Sequence, residues 1–350
     1  MQKKQNIIFL YAELTPYFIG CLNFFFNSYT NFNILVVYDD KFSTVITDNI
    51  KFNLKEKNDF KTKKELLEYC KKFQPSLILI SGRMFKDYLF VARKFKGICK
   101  TITVQDTIYS KTFKQFIIRL FSQVLYRRYF DYFWGVGELQ EKFALSIGYK
   151  KENIFKGFYV ADKIFFKANK KNNFNQKNMN FLFIGRLVKE KNILRLVKII
   201  KSINKRDKSS HYITIIGDGY LRSDILKYSC VRYEGLLPQN QIIKFALNSD
   251  VFILPSLYEP WGVVTHEMSA LGLPLLLSEK CGSSFNLVEN GVNGFTFNPK
   301  SNNSIISAID NFFSLSLKEK KEFSLNSIIK SKSISHESWN NTLIELINRT

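Results

Sequence analysis

The sequence lacks most of the residues from which metal centres and disulfide frameworks are built. It contains three histidines, His211, His266 and His336, and all of them lie in its second half. Its five cysteines are scattered without Cys-x-x-Cys spacing, so neither a zinc site nor a disulfide scaffold is expected. An Asp-x-Asp motif is missing, and the adjacent Asp39 and Asp40 are interpreted as a solvated turn. The sequence therefore gives no indication of a metal site.

Long apolar runs are also missing from the sequence. No segment approaches the ~18 consecutive apolar residues that a membrane-spanning helix needs, and nothing resembles a signal peptide. The scattered cysteines agree with a reducing compartment. We expect a cytoplasmic protein, either soluble or peripheral on the cytoplasmic face of the inner membrane.

Apolar runs typical of strands alternate with helix-like segments along the whole chain, which indicates parallel sheets covered by helices. The Lys/Asn-rich stretch 169–179 interrupts this alternation and is interpreted as a linker. We predict an α/β protein with two doubly wound, Rossmann-like domains, 1–168 and 180–334, followed by a helix in 335–350. The strands predicted in the first domain are Asn6–Ala12, Asn33–Tyr38, Ser76–Ser81, Thr101–Gln105, Tyr132–Val136 and Asn153–Phe155.

Two glutamates eight positions apart, Glu259 and Glu267, are the most informative feature of the second half. The buried-strand pattern Val251–Leu254 precedes them, which places Glu259 on the loop leaving a strand. Pro260 is expected at a helix start, so that residues 262–264 present unpaired N–H groups to an anion. Glu267 follows about one and a half turns later, within reach of a hydroxyl group beside that anion. The pattern fits a diphosphate flanked by two sugars.

An anion beside two carboxylates requires cations, because repulsion would otherwise oppose binding. The predicted strand Asn180–Ile184 ends in Gly185, and Arg186 and Lys191 follow before a helix that begins near Glu190. A guanidinium offers a planar fork to phosphate oxygens and an ammonium offers a point charge. Both cations are expected at the carboxyl end of a strand, where open α/β sheets bind their ligands.

Together these residues resemble a known family of enzymes. Residues 180–297 look like the nucleotide-binding half of family 4 of the retaining glycosyltransferases, which have the GT-B fold. The matching segments, besides the glutamate pair and the Gly-Arg-Lys spacing, are 215–219 (IIGDG), 231–235 (VRYEG), 248–250 (NSD), 255–256 (PS), 270–274 (ALGLP) and 289–295 (ENGVNGF). Their shared order over more than a hundred residues makes the resemblance specific.

The resemblance implies a role for each matching residue. Gly185, Arg186 and Lys191 would bind the donor diphosphate, and Glu259 would hold hydroxyl groups of the transferred sugar. Glu267 would bind the ribose, and the N–H groups of Gly262, Val263 and Val264 would contact the sugar and the phosphates. No metal would be needed, because the cationic pair and the helix start replace a divalent cation. The resemblance also implies that the two domains face each other across a cleft, and that the helix 335–350 packs back toward the first domain.

The first half matches the family less closely. The segment 15–20 (TPYFIG) stands where the family has a glycine-rich loop, and its single glycine, Gly20, is expected either near the donor phosphate or as an ordinary helix-entry glycine. Gln105 and Asp106 stand where many relatives have His-Asp. Asp106 is a candidate for orienting the acceptor hydroxyl, with a helix N-cap as the alternative. Segments 81–88, 129–132 and 157–162 resemble a polysaccharide-assembly branch of the family.

These observations predict a retaining, metal-independent glycosyltransferase. It would move a sugar from a UDP- or GDP-sugar to a hydroxyl group of a glycan or lipid-linked acceptor, in the biosynthesis of a surface polysaccharide such as capsule or lipopolysaccharide. Two alternatives stay open. The first is a GT-B relative of other activity, such as a nucleotide-sugar epimerase or a phosphorylase. The second is a basic nucleic-acid-binding protein, although no nucleic-acid motif accompanies the charge and no nucleic-acid partner is expected.

The scarcity of acidic residues needs its own explanation. The chain has 52 Lys and Arg against 30 Asp and Glu, a net charge of +22, and residues 1–180 carry 31 basic and 15 acidic residues. An anionic membrane surface that holds a lipid-linked acceptor is one partner that fits, and nucleic acid is the other. The segment 111–129 interleaves basic and large apolar residues at helical spacing. It would dock on lipid or, as the preferred interpretation, pack its apolar face on its own sheet.

Overall fold

The computed structural model describes residues 4–39, 50–168, 174 and 178–349. The chain divides into two compact units. The first unit comprises the residues up to 160 and again those from 334, and the second comprises 161–333. The predicted linker 169–179 lies outside the described residues except for positions 174, 178 and 179, and Asp40 of the predicted turn lies outside them as well.

The first unit is built around a parallel sheet of seven strands within the described residues. These are β1 (Gln5–Leu10), β2 (Phe32–Tyr38), β3 (Asn53–Glu56), β4 (Leu77–Ser81), β5 (Lys100–Gln105), β6 (Tyr132–Gly135) and β7 (Ile154–Phe155). Their order in the sheet is β3-β2-β1-β4-β5-β6-β7. The helices, numbered in chain order, are α1 (Pro16–Ser28), α2 (Lys63–Phe73), α3 (Lys86–Phe95), α4 (Phe113–Leu120), α5 (Glu138–Ser146) and the last helix of the chain, α14 (His336–Asn348).

The second unit has a parallel sheet with six strands among the described residues: β8 (Asn180–Ile184), β9 (Tyr212–Ile216), β10 (Val231–Gly235), β11 (Val251–Leu254), β12 (Leu275–Ser278) and β13 (Gly294–Phe297). Their order is β10-β9-β8-β11-β12-β13. Its helices are α6 (Lys163–Phe166), α7 (Ile193–Asp207), α8 (Arg222–Ile225), α9 (Gln239–Leu247), α10 (Val263–Ala270), α11 (Ser284–Leu287), α12 (Asn302–Phe313) and α13 (Leu317–Ser331).

The strand order of each sheet reverses once. In the second unit the chain runs outward from β8 through β9 to β10, and then crosses back to place β11 on the other side of β8. In the first unit the same reversal lies between β1 and β4. At such a switch point the loops after the two strands diverge and leave a crevice at the carboxyl edge of the sheet. The order of the strands therefore marks one candidate ligand site in each unit.

The predicted α/β class with two doubly wound units is confirmed. All six strands predicted in the first half are present, with ends that differ by one or two residues because helix and strand ends are poorly encoded. The strand β3 was missed. This strand, Asn-Leu-Lys-Glu, lies at the edge of the sheet, and its residues alternate between exposed and partly buried. It therefore lacks the apolar run by which a buried strand is predicted.

The packing of α4 differs from the preferred interpretation of the segment 111–129. Its buried side is short and includes Gln115, whereas Phe113, Phe116 and Leu120 are exposed. The preferred interpretation is therefore confirmed for one side of the segment, where Ile118, Leu125 and Tyr129 pack against the core, and is wrong for the exposed side. Within the described residues, none of the helices combines the length and the apolarity that a membrane crossing requires.

The final helix, α14, belongs to the first unit and is fixed there by Trp339. The indole is buried, its Nε1 donates to the carbonyl oxygen of Phe158 at 3.1 Å, and its ring lies 5.2 Å from that of Trp134. The ring of Phe9 on β1 stacks on it at 6.5 Å. This aromatic cluster joins the last helix to strands formed more than two hundred residues earlier.

We expect Trp339→Ala to lower the free energy of unfolding by about 3–5 kcal/mol, because it empties a large buried site and removes a buried hydrogen bond. Urea unfolding monitored by circular dichroism measures this loss. The exposed Asn341 on the same helix supplies the control, Asn341→Ala, which should change the free energy by less than about 0.5 kcal/mol. Equal effects of the two changes would contradict the packing of α14.

Candidate functional site

The loop after β8 is held by direct backbone contact with the loop after β9. Gly185 N donates to the carbonyl oxygen of Ile216 at 2.9 Å, and Leu187 N donates to that of Asp218 at 2.8 Å. A Cβ on Gly217 would lie 2.1 Å from the oxygen of Gly185, and the backbone there has φ of +132°. Only glycine permits this approach. Gly217 is therefore needed for the close contact that positions the loop carrying Arg186 and Lys191.

The structure brings Lys191 and Glu259 together as an ion pair between Lys191 Nζ and Glu259 Oε2. The two side chains are only 17% and 11% exposed. Their loops follow β8 and β11, the two strands on either side of the switch point. A backbone hydrogen bond from Leu257 N to the carbonyl oxygen of Glu190, 2.8 Å long, joins the same loops. The pair therefore lies at the place where an open α/β sheet binds its ligand.

Helix α10 begins three residues after Pro260, not at that proline as the sequence indicated. Gly262 is its N-cap and adopts a left-handed conformation with φ of +81°. A Cβ there would meet Glu259 Cγ at 3.1 Å. The chain turns sharply at this glycine, so the first turn of α10 starts beside the Glu259 side chain. The predicted placement of the residues 262–264 at a helix start is correct, and the unpaired N–H groups of a first turn carry partial positive charge.

Glu267 lies in the middle of α10 and is partly buried. Burial among protein atoms, with a smaller contribution from the negative charge of Asp162, raises the pKa of its carboxyl group to about 8. At neutral pH the carboxyl group is therefore largely protonated and can both donate and accept a hydrogen bond. Such a group suits a neutral hydroxyl ligand. Strongly shifted carboxyl groups of this kind are concentrated in functional sites.

Arg186 lies on the loop after β8, and its side chain is exposed. It is therefore on the element that carries Lys191, but the structure does not bring it into the ion pair. Two polar atoms of the segment that follows β11, Ser256 Oγ and Trp261 Nε1, are buried without a hydrogen-bond partner among the described residues. Buried polar groups are satisfied in most proteins, so orphaned ones mark a place where a polar ligand can bind.

His266 has a structural role beside this site. Its ring is buried, Nδ1 accepts a hydrogen bond from Ala161 N at 3.0 Å, and Nε2 lies 2.9 Å from the carbonyl oxygen of Ser331. The neutral tautomer with hydrogen on Nε2 satisfies both contacts. Burial lowers the pKa of the imidazole to about 4. The histidine thus fixes α10 against the segments before α6 and at the end of α13.

In the first unit, Asp106 follows β5 at the carboxyl edge of the sheet and is half-buried. The N-cap alternative is wrong, because the next helix, α4, begins at Phe113 and is capped by Thr112. Negative charge at Asp106 contributes to the raised pKa values of the buried tyrosines Tyr11 and Tyr159, for which burial is the main cause. Asp106 is therefore part of a polar and aromatic cluster, and its acceptor role stays a prediction.

The sequence interpretation missed the other members of this cluster. Glu13 lies just beyond β1, and burial raises the pKa of its carboxyl group. Tyr17 stands near it on α1, and the Tyr17 and Tyr159 rings are 5.1 Å apart. The only signal in the sequence was the position of Glu13 after a buried strand. Carboxyl groups and tyrosine hydroxyls are thus gathered at this edge of the sheet.

Gly20 lies in the second turn of α1, which begins at Pro16. The segment 15–20 is therefore a helix start and not a loop of the glycine-rich kind. Its predicted contact with the donor stays a prediction. Across the residues that the structure describes, no group of three or more His, Cys, Asp or Glu side chains could hold a metal ion.

The fold is that of a GT-B type α/β protein, and a helix starts at the switch point of its second sheet. Residues 165–328, which lie within the second unit, match the family model described as glycosyl transferases group 1. This segment is thus similar to the group 1 glycosyl transferases.

Individual relatives agree with this assignment. An uncharacterized glycosyltransferase of Methanocaldococcus jannaschii is 32% identical over 141 residues, which are 38% of this chain and 35% of that protein. The UDP-Gal:alpha-D-GlcNAc-diphosphoundecaprenol alpha-1,3-galactosyltransferase of Escherichia coli is 33% identical over 138 residues, 37% of this chain and 35% of that protein. The match thus spans about a third of the length of these relatives.

The crystal structure of HepE from Anabaena in complex with UDP and glucose shares the fold over almost the entire chain. Its TM-score is 0.75 at 17% sequence identity, and the alignment covers 97% of this chain and 98% of HepE. At this level of identity the similarity concerns the fold, and it extends over both units.

We expect the contribution of His266 to the free energy of unfolding to fall as the pH drops from 7.5 to 5, opposite in sign to the contribution of Glu267. The folded pKa of His266 is lowered to about 4 from an ordinary value of 6.5, so the unfolded chain binds the proton first as the pH falls. The loss attributable to this group is about 2 kcal/mol at pH 5. Urea unfolding of the wild type and of His266→Gln measures it. The variant should lose most of this dependence and keep the smaller part from His211, whose pKa is also lowered by burial. An unchanged pH dependence would contradict the neutral, buried imidazole.

Glu267 is expected to cost stability in the absence of ligand. Its folded pKa is raised, so its contribution is favourable below pH 4.5 and is lost as the pH rises toward 8. Glu267→Gln should therefore raise the free energy of unfolding at pH 7.5 by about 1–3 kcal/mol, with the gain vanishing near pH 4. The exposed Glu190 provides the control Glu190→Gln, for which no such gain is expected. A gain that is independent of pH would show that the carboxyl group is not the cause.

Proposed function

We propose that this protein is a retaining glycosyltransferase that moves a sugar from a nucleotide-sugar donor to a hydroxyl group of a glycan or lipid-linked acceptor. The observation that carries the proposal is the Lys191–Glu259 pair at the switch point, beside the start of α10. An ammonium and a helix start attract the diphosphate of the donor. The carboxylate beside them accepts hydrogen bonds from sugar hydroxyl groups.

The ion pair solves an electrostatic problem of such a site. A carboxylate that holds the sugar lies close to a doubly charged diphosphate, and repulsion between them would weaken binding. Pairing with Lys191 offsets the charge of Glu259 before the donor arrives. The same ammonium can then bridge the carboxylate and a phosphate oxygen. Arg186, on the same loop and exposed, is free to move toward the phosphates from outside the pair.

The two carboxyl groups of the second unit have different tasks in this proposal. Glu259, paired with a cation, is the charged group that holds hydroxyl groups of the transferred sugar. Glu267, with its raised pKa, is the neutral group that binds the ribose. The N–H groups of Gly262, Val263 and Val264 lie between them along the chain and receive the phosphates and the sugar. Gly185 lets the loop backbone approach the diphosphate.

The reaction proceeds with retention in this proposal. The acceptor hydroxyl attacks the anomeric carbon from the face that the nucleotide leaves, the bond to the phosphate oxygen breaks, and that oxygen takes the proton of the attacking hydroxyl. Negative charge grows on the departing diphosphate, where Lys191, Arg186 and the helix start stabilise it most strongly. These positive groups perform the task that a divalent cation has elsewhere. Asp106 orients the acceptor hydroxyl.

The relatives suggest the kind of substrate. The Escherichia coli enzyme uses UDP-Gal and a sugar on diphosphoundecaprenol, and HepE was crystallised with UDP and glucose. We therefore prefer UDP-sugars to GDP-sugars as donors. The preferred acceptor is a sugar linked to a lipid diphosphate, in the assembly of a surface polysaccharide. An acceptor of that type is anchored in a membrane, so the enzyme would work as a peripheral protein on the cytoplasmic face. The net charge of +22 favours an anionic surface.

Lys191→Ala and Glu259→Ala should each lower kcat/KM for sugar transfer by about a hundredfold or more, because each removes a group that acts on the charged transition state. A panel of UDP- and GDP-sugars, screened first by thermal shift, supplies the donor. Transfer and donor hydrolysis are then followed by release of the nucleoside diphosphate. The anomeric configuration of the product, measured by NMR, tests retention.

Lys189→Ala is the matched control for these variants. Lys189 lies in the same short turn as Lys191, but its side chain is exposed, and we expect less than about a threefold change in kcat/KM. All variants should stay folded and show a cooperative melting transition, with a lower melting temperature only where a buried charge loses its partner. Normal turnover in both Lys191→Ala and Glu259→Ala would refute the assigned roles.

A further inference from the structure

The segment between Asp106 and Asp131 forms a surface that the transfer chemistry does not use. Its 24 residues contain no acidic residue and five basic ones, so it has a net charge of +5. It includes α4 and the turn after it, residues 123–127. The large apolar side chains of this segment divide between two faces of the helix and turn.

The inner face packs on the first unit. Gln115 and Tyr126 are buried, and Ile118, Leu125 and Tyr129 are partly buried against the core of the unit. Gln115 is fixed by two hydrogen bonds, from its Nε2 to the carbonyl oxygen of Ile108 and from Ser110 N to its Oε1, both 2.6 Å. These contacts hold α4 in one orientation.

The outer face is apolar and open to solvent. Phe113, Phe116, Leu120 and Val124 recur at intervals of three or four residues and are 77%, 52%, 66% and 52% exposed, and the adjacent Phe121 is 52% exposed. The Phe113 and Phe116 rings stack at 6.4 Å. A contiguous group of exposed apolar side chains on a fixed helix is unusual for the surface of a monomeric protein and marks an interaction site. We call these five residues the α4 patch.

Basic residues flank the α4 patch along the chain. Lys111 and Lys114 are exposed at the start of α4, and Arg119 lies over the Tyr109 ring at 5.7 Å. Arg127 and Arg128 follow the patch and lie over the rings of Tyr149 and Tyr129. Apolar and aromatic side chains on one face with cations at its edge are typical of helices that lie in the interface of an anionic bilayer.

We propose that the α4 patch docks this protein on an anionic lipid bilayer, with its apolar side chains at the boundary between headgroups and acyl chains. The basic residues at its edge contact the anionic headgroups, each adding attraction that falls off within a Debye length. The inference rests on the proposed function, because a lipid-linked acceptor is the reason for the enzyme to bind a membrane. It adds the surface that would make this contact. The physical contact itself needs neither donor nor acceptor.

Two other occupants fit the patch less well. A second copy of the chain would bring one group of five positive charges against another, which opposes association. A nucleic acid would stack bases on aromatic rings, but Leu120 and Val124 occupy the middle and end of the patch and offer no ring for stacking. A bilayer accommodates aliphatic and aromatic side chains equally, and it supplies the negative charge.

The test is sedimentation of the full chain with vesicles, in the absence of donor and acceptor. Vesicles of phosphatidylcholine with about one-third phosphatidylglycerol are compared with pure phosphatidylcholine. We expect the wild type to bind the anionic vesicles at least about tenfold more tightly, and to lose this preference in high salt. Phe116→Ser with Leu120→Ser, and separately Lys111→Gln with Lys114→Gln, should each weaken binding by about tenfold or more.

The helix α13 supplies a matched control for each variant. Leu325 and Ile329 are exposed apolar residues four positions apart, as Phe116 and Leu120 are, and Leu325→Ser with Ile329→Ser should leave vesicle binding unchanged. Lys318→Gln with Lys321→Gln is the corresponding charge control. Failure of the wild type to bind anionic vesicles, or equal binding by the patch variants and the controls, would overturn the proposal. So would a dimer that Phe116→Ser with Leu120→Ser dissociates while no vesicle binding is seen.

A second readout separates this inference from the transferase assignment. The UDP-induced thermal shift should persist in the patch variants and disappear in Lys191→Ala. Vesicle binding should be weakened in the patch variants and unchanged in Lys191→Ala. Loss of vesicle binding together with the UDP response in the patch variants would mean that they are misfolded. In that case the single change Phe113→Ser, at the most exposed position of the patch, is measured instead. It should weaken vesicle binding while the UDP-induced thermal shift stays intact. Unchanged vesicle binding by this variant would overturn the proposal.

Discussion

The contact between Lys191 and Glu259 is the interaction on which the account of this protein depends. Neither residue is near the other in sequence, and their proximity follows from the order of the strands: β8 and β11 are neighbours although two strands separate them along the chain. The loops after these strands are further joined by the backbone bond between Leu257 and Glu190. A largely buried ion pair contributes little net stability, because desolvation offsets its attraction. In the proposed function its value is chemical, since it would hold a cation and a carboxylate beside the diphosphate and the sugar of the donor.

The structure around this pair contains several local features that lower the stability of the fold. Gly217 accepts a positive φ and Gly262 a left-handed conformation so that two loops and a helix start can approach one another. Glu267 is held in surroundings that raise its pKa, and two buried polar atoms of the segment after β11 have no hydrogen-bond partner among the described residues. Local features of this kind reduce stability, and they are commonly retained where binding or catalysis needs them. The buried strands and the two hydrogen bonds of His266, which hold α10 in place, stabilise the surrounding structure.

Much of the fold could be predicted from the sequence because strands buried on both faces have continuous apolar runs, as in β1, β4 and β11. The edge strand β3 has no such run and was missed. The positions of Glu259, Glu267 and Lys191 beside the switch point were also predictable, since these residues stand at fixed distances from recognisable strand ends. The first unit was less predictable. Glu13, Tyr17 and Tyr159 meet only through tertiary packing, and the outer face of α4 could not be distinguished from a core face by periodicity alone.

The most direct measurement of the central claim is a crystal structure of the protein with UDP. The account predicts a diphosphate at the start of α10, with a phosphate oxygen within about 3 Å of Lys191 Nζ and of a first-turn N–H group. A nucleotide bound with its phosphates away from Lys191 and the N–H groups of Gly262–Val264 would contradict it.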